Sequence, residues 1–278
     1  MASTTGIAWT ESTWNPTVGC TVISPGCTHC YAMREAARIA AFGGPVAPKY
    51  RGLTHKTKGG PVWTGELRLW EPALDQPLRW ARPRMIFVNS MSDLAHEDMP
   101  VAWFARIWQA MTAARQQRGH IFQVLTMRPA NLARLLRAIG VTRPVPGIWL
   151  GVSAEDERRW DERVPLLKDI PTVVPWVSVE PQLELIDRDP RGLDWIVVGG
   201  ESGKPRSKAR SYDAQWGRVM RDHCRAASVP FFMKQLGSFA VDGNRPLPTK
   251  HYAGADPEEW PADLRVREYP AAAPTQLH

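Results

Sequence analysis

Continuous apolar runs rich in β-branched and aromatic residues recur along this chain at 84–89, 120–126, 147–153, 172–178, 194–199 and 229–234. They do not alternate polar with apolar, which is how strands covered on both faces read. Segments with helical spacing separate them, at 101–117, 130–138, 155–167 and 213–227. A strand followed by a helix, repeated, favours a parallel sheet. Two more strands are expected at 13–18 and 62–69 and a first helix at 29–40, giving about eight βα steps, the number that closes a barrel. The expected fold is therefore α/β, a parallel βα barrel, full or partial and TIM-like. An open doubly wound sheet is the alternative, because strand order is not written in one sequence.

A chain of 278 residues, 44% hydrophobic, can bury a substantial core without disulfide staples. The economical reading is one barrel domain over 1–239, with a glycine-rich basic loop at 43–60, followed by a Pro-rich tail at 240–278 that packs on the domain or is partly disordered. The start, MASTTGIAWTESTWNP, has no basic-then-apolar leader, and no stretch is long enough to cross a bilayer. A cytoplasmic protein with no membrane partner is expected. Lys and Arg outnumber Asp and Glu by 35 to 28, a formal +7. That balance suits nucleic acid or another anionic substrate without identifying one. Most of the thirteen tryptophans are expected in the core or at its rim.

Polar residues follow the expected strands in series: Asn89, Ser90 and Asp93; Thr126 and Arg128; Ser153, Glu155 and Asp156; Ser178 and Glu180; Glu201 and Ser202; Lys234 and Gln235. Catalytic groups of a βα barrel gather at this carboxyl end. Helix capping accounts for part of the series, but not for Glu180 before Pro181 or for the Lys234-Gln235 pair. Glu180, Glu201, Asp93 and Lys234 are the candidate catalytic groups, suited to binding hydroxyls, positioning an amine or exchanging protons. Arg128 offers a fork for a carboxylate or phosphate. With Asn89, Ser90 and Ser153 it forms the candidate cofactor-binding set. Gly199-Gly200-Glu201-Ser202-Gly203 reads as a close-approach turn, and 204–210 adds four positive charges.

Cys20, Cys27 and Cys30 form C-x6-C-x2-C at the entry to the first helix. Three readings of that spacing are open: a [4Fe-4S] cluster held at three irons, zinc completed by His29, His55, His223 or Cys224, or a redox dithiol at Cys27 and Cys30. No HExxH, paired-histidine motif or Walker-type loop points to ordinary hydrolase chemistry.

The three-cysteine loop after a first strand resembles that of the radical S-adenosylmethionine enzymes, with the first gap widened to six residues and His29 where an aromatic residue is common. More closely, residues 6–239 resemble the phage-type Gp37/Gp68 family through WTESTWNPTVGC, GCTHCYA, VNSMSDLAHED, VLTMRP, WLGVSAED, VSVEP, IVVGGESG and VPFFMKQLG. The likeness to the radical S-adenosylmethionine enzymes implies a barrel of their type. It further implies a cluster on Cys20, Cys27 and Cys30 whose open iron binds S-adenosylmethionine, and a 5'-deoxyadenosyl radical that modifies a nucleic-acid, nucleotide or other substrate. A reductant protein would supply the electron. Gly65 and Glu66 stand near where such enzymes bind the methionine moiety. The alternatives are a zinc-stabilised nucleic-acid-binding or processing protein, and a non-catalytic phage-type partner protein that retains a metal site.

Overall fold

The computed structural model describes residues 5–203 and 208–274. The chain runs β1 (Ser12–Trp14), β2 (Thr17–Val18), α1 (Tyr31–Phe42), α2 (Ala47–Tyr50), β3 (Thr54–Thr57), β4 (Gly60–Trp63), β5 (Arg68–Leu69) and β6 (Met85–Val88). It continues α3 (Val101–Arg118), β7 (Ile121–Thr126), α4 (Pro129–Ala138), β8 (Ile148–Ser153), α5 (Glu157–Lys168), β9 (Pro175–Val179) and β10 (Trp195–Gly199). The last elements are β11 (Tyr212–Asp213), α6 (Ala214–Ala227), β12 (Phe231–Gln235), β13 (Ala240–Asp242) and β14 (Arg245–Leu247). Seven strands follow one another in the order β1-β6-β7-β8-β9-β10-β12. The pairings β1–β6, β6–β7, β9–β10 and β10–β12 are all parallel. This is an α/β fold of the generic TIM-barrel-like kind; nothing in its strand order singles out the radical S-adenosylmethionine type.

Two compact units divide the chain, Met1–Leu150 with Pro171–Val173, and Gly151–Ile170 with Val174–His278. In unit 1, Trp14 pairs with Val88 and is fully buried, its indole donating to the Ala73 carbonyl at 2.7 Å. In unit 2 every residue of β10 is buried, and Trp195 lies in register with Trp176, ring centroids 5.4 Å apart. Strands that bury both faces have no solvent-facing positions to fill with polar residues, which is why they read as unbroken apolar runs.

The expected strand at 62–69 does not join the large sheet. Gly65, at φ 91°, interrupts it, so that β4 pairs with β3 in a hairpin and β5 pairs with β2. The 43–60 segment, read from sequence as a loop, carries α2, β3 and the start of β4. Residues 240–274 lie along unit 2: Met233 N donates to Val266 O at 2.8 Å, Glu268 N to Phe231 O at 2.9 Å, and Trp260 and Leu264 are buried. Among the described residues no helix is long and apolar enough to cross a membrane.

Candidate functional site

The ends of β6 and β7 carry a charged hub in unit 1. The buried Asp93 carboxylate accepts from Ala95 N at 2.9 Å, Thr126 Oγ1 at 2.7 Å, Met127 N at 3.1 Å and Arg128 Nη1 at 2.9 Å. Arg128 also donates to Glu97 and to the Thr21 hydroxyl, and its Nη1 lies 3.9 Å from Cys20 Sγ. Burial works against ionisation of Glu97, but hydrogen bonds from Arg128, its own backbone and Thr21 outweigh it and hold the carboxyl at about 2. His96, with a fully buried side chain, is pushed down by burial and by the Arg128 charge. Asp93 and Arg128 are thus engaged within the protein. A ligand would have to displace bonds that hold the loop beginning at Cys20 to the strand ends.

The remaining unit 1 candidates are similarly placed. Asn89 adopts φ 60°, and its amide donates to Thr17 Oγ1 at 2.7 Å, tying the end of β6 to β2. Ser90 donates to Asn15 Oδ1 at 3.2 Å, while its carbonyl accepts from the Tyr31 hydroxyl at 2.8 Å. Gly65 supplies a left-handed turn, and Glu66 pairs with Arg68 at 2.7 Å. None of these joins the Asp93–Arg128 hub through a hydrogen bond among the described residues.

The cysteines have different partners. Cys20 faces Thr21 O at 3.6 Å and the Arg128 guanidinium. Cys27 lies 3.6 Å from Ser24 Oγ and 3.3 Å from Met127 Sδ. Cys30 caps α1 and packs on a cluster that includes Val18, Ala32, Met33 and Trp63. Burial raises the Cys20 and Cys30 thiols above their ordinary range, and Asp93 adds to the rise at Cys20. Among the described residues no group of three or more His, Cys, Asp or Glu is placed to hold a metal ion.

That finding overturns the expected [4Fe-4S] cluster on Cys20, Cys27 and Cys30, and with it S-adenosylmethionine on an open iron, the 5'-deoxyadenosyl radical and the enzyme built on them. It equally overturns zinc completed by His29, His55, His223 or Cys224, and so both metal-retaining alternatives. Cys224 is buried on α6 in unit 2, its thiol pushed up to about 12 by burial and by Glu268. The expected reductant protein rested on the same cluster.

Unit 2 collects the other candidates. Glu201 is buried and accepts from Arg210 N at 2.8 Å and from the Arg210 guanidinium. Glu155 is buried against Arg163 at 2.9 Å. Glu180 differs: its Oε1 accepts from Lys234 Nζ and from Gln235 Nε2 at 3.2 Å, while Oε2 has no partner among the described residues. Both members of the Glu180–Lys234 pair are about one-fifth exposed, at 18% and 17%. Gly199 lies against Glu180 and Gln235; a Cβ there would come within 3.2 Å of Gln235 Cγ and 3.6 Å of Glu180 Cγ. On the neighbouring strands Ser153 and Ser178 are buried, at 5% and 2% exposure, and no hydrogen bond to either hydroxyl exists among the described residues. Ala154 N donates to Ser178 O at 3.0 Å, placing the two serines on adjacent strand ends.

Gln235 is noted in the sequence with Lys234, Ser178 stands in the strand-end series without being singled out, and Glu97, Thr21 and Arg163 were missed. Their signal is a partner distant in sequence, which no local pattern carries. Of the basic run, 204–207 lie outside the described residues.

No curated protein and no solved structure matches the chain. Residues 4–264 match a family described as protein of unknown function (DUF5131), a description that names no reaction and no link to the Gp37/Gp68 or radical S-adenosylmethionine families. On a match over nearly its whole length, the chain belongs to the DUF5131 family.

Proposed function

We propose that this protein binds a small hydroxyl-bearing anion at the carboxyl ends of β8, β9, β10 and β12 in unit 2. One observation carries the reading: hydrogen-bonding capacity left open at Glu180 Oε2, Lys234, Ser153 and Ser178, in a place that is largely screened from water. These groups keep some access to water, so a ligand can reach them and replace that water without breaking a bond within the protein. The carboxyl end of a parallel sheet is also where α/β proteins place ligands. Lys234 has ammonium donors for an anionic group, Glu180 Oε2 accepts from a hydroxyl, and the serines donate or accept. Sugar phosphates and nucleotides present these groups together. The Asp93–Arg128 hub and the Glu201–Arg210 pair lack this open capacity and serve as structure. A reducing, cytoplasmic setting suits the four cysteines, all of which are free thiols.

Isothermal titration with ribose 5-phosphate and with each nucleoside 5'-monophosphate tests the proposal. At least one is expected to bind, with affinity reduced about tenfold or more in Lys234→Ala and Glu180→Gln, since a hydrogen bond to a charged group contributes roughly 1.5–3 kcal/mol. A ligand at a hundredfold excess over Kd should add about 2.7 kcal/mol to stability, readable as a raised melting temperature. Absence of binding by the whole panel, or binding that Lys234→Ala leaves unchanged, rejects it.

A further inference from the structure

We infer that unit 1 carries a binding surface for single-stranded nucleic acid, formed by the outer face of α1 and the β3–β4 hairpin. The first observation is where the charge sits. Residues 31–63 contain six Lys and Arg (Arg34, Arg38, Lys49, Arg51, Lys56 and Lys58) against one acidic residue, Glu35. Lys49 is buried, which leaves Arg34, Arg38, Arg51, Lys56 and Lys58 against Glu35, +4 of the chain's formal +7.

The second observation is the order of side chains on α1. Tyr31, Arg34, Arg38 and Phe42 are spaced three, four and four residues apart, so they form one stripe. Ala32, Met33 and Ala36 face the other way, into a cluster with Leu53 and Trp63, so the helix is fixed against the hairpin segment. Within the stripe Tyr31 is 47% exposed and Phe42 78% exposed. Phe42 is the most exposed large apolar side chain among the described residues. Arg38 lies over its ring, 5.6 Å from guanidinium carbon to centroid, and also pairs with Glu35. The stripe spans about 16 Å at 1.5 Å per residue, room for a few nucleotides.

The third observation is that further cations of the same 31–63 segment are open. Lys56 and Lys58 on the hairpin and Arg51 before it are exposed, and none forms an ion pair among the described residues. Elsewhere in the protein arginines are commonly paired: Arg188 with Glu157 and Asp161, Arg218 with Asp242 and Asp263. Cations that track a backbone beside exposed rings are the parts that bind unpaired strands, the rings stacking on bases and the cations neutralising phosphates. A duplex keeps its bases stacked on each other and offers the rings no face. This surface shares no residue with the ligand set of unit 2, and either can fail without the other.

Fluorescence anisotropy of the full chain with labelled dT12 and U12, and with the same dT12 annealed to its complement, tests the inference. Binding to single strands is expected to be at least tenfold tighter than to duplex and to weaken steeply between 50 and 200 mM salt. Lys56→Glu with Lys58→Glu should lower the salt slope. Phe42→Ala leaves the net charge unchanged, and should still cost about tenfold or more in single-strand affinity, while Phe42→Trp retains it. No binding at 50 mM salt, equal affinity for duplex, an unchanged affinity in Phe42→Ala, or preferential capture by phosphatidylserine vesicles would each overturn it.

Discussion

Lys49 places its ammonium in the interior of unit 1, 7% exposed, with one hydrogen bond to the Asn15 carbonyl at 2.8 Å and the Tyr50 ring 5.7 Å away. Burial without a carboxylate partner lowers its pKa to about 8, against roughly 10.4 for an unhindered lysine. Between those values the unfolded chain binds more protons than the folded one, so this residue's contribution to stability becomes more favourable as pH rises through the window. Other groups titrate there too, and the buried Cys20 and Cys30 thiols act in the opposite direction. The informative quantity is therefore the stability difference between the protein and Lys49→Met. Urea denaturation at pH 7, 8.5 and 10 should show the wild type gaining on the variant as pH rises; a flat difference means that Lys49 is not buried as described. The same scale shows where sequence reasoning stops. Asp93 and Arg128 were legible as polar residues just beyond strands, but whether each faces a ligand or the other depends on a contact across 35 residues of chain.

At the scale of elements, the sequence was most legible where burial is most complete. The runs that became β6, β7, β8 and β10 and the segments that became α3, α4 and α6 agree within one residue at each end. β9 starts three residues later than expected, at Pro175, and α1 begins at Tyr31 because Cys30 is its cap. Short elements were misread because their pairing is set by turns: Gly65 ends β4, and a Cβ on Gly19 would lie 2.0 Å from Glu66 O where β2 leads into the cysteine loop. The start of α6 has a local signal that the structure extends. Asp213 Oδ1 accepts from Gln215 N at 2.9 Å, capping the helix, and from Gly243 N at 3.1 Å, anchoring the turn between β13 and β14. Asp213→Ala should therefore cost about 1–2 kcal/mol, at the upper end for a lost cap. Asp213→Asn, which keeps the acceptor, should recover most of it in the same denaturant titration.

Over the whole molecule, composition gave a sound account of net charge and a poor one of the C-terminal segment. Proline and alanine lower the apparent structure of 240–274, yet its bonds to unit 2 run mainly through the backbone, which composition does not register. β12 ends the strand order of the large sheet, and an uncovered edge strand is a template for aggregation. The segment covers it: Met233 N donates to Val266 O, Glu268 N donates to Phe231 O while its carboxylate Oε2 accepts from Phe231 N, and Leu236 N donates to Gly254 O at 2.9 Å. Trp260 and Leu264, at 3% and 0% exposure, bury apolar area against unit 2, each side chain worth roughly 1.5–3 kcal/mol. Removing 240–278 exposes that edge and empties those sites together. The truncated chain should aggregate on expression, or, where soluble, lose cooperative melting by near-ultraviolet circular dichroism. Removing only 271–278 leaves every one of these contacts in place and should shift the melting temperature by no more than a few degrees. Equal behaviour of the two truncations would mean that the segment rests on unit 2 without contributing to its stability.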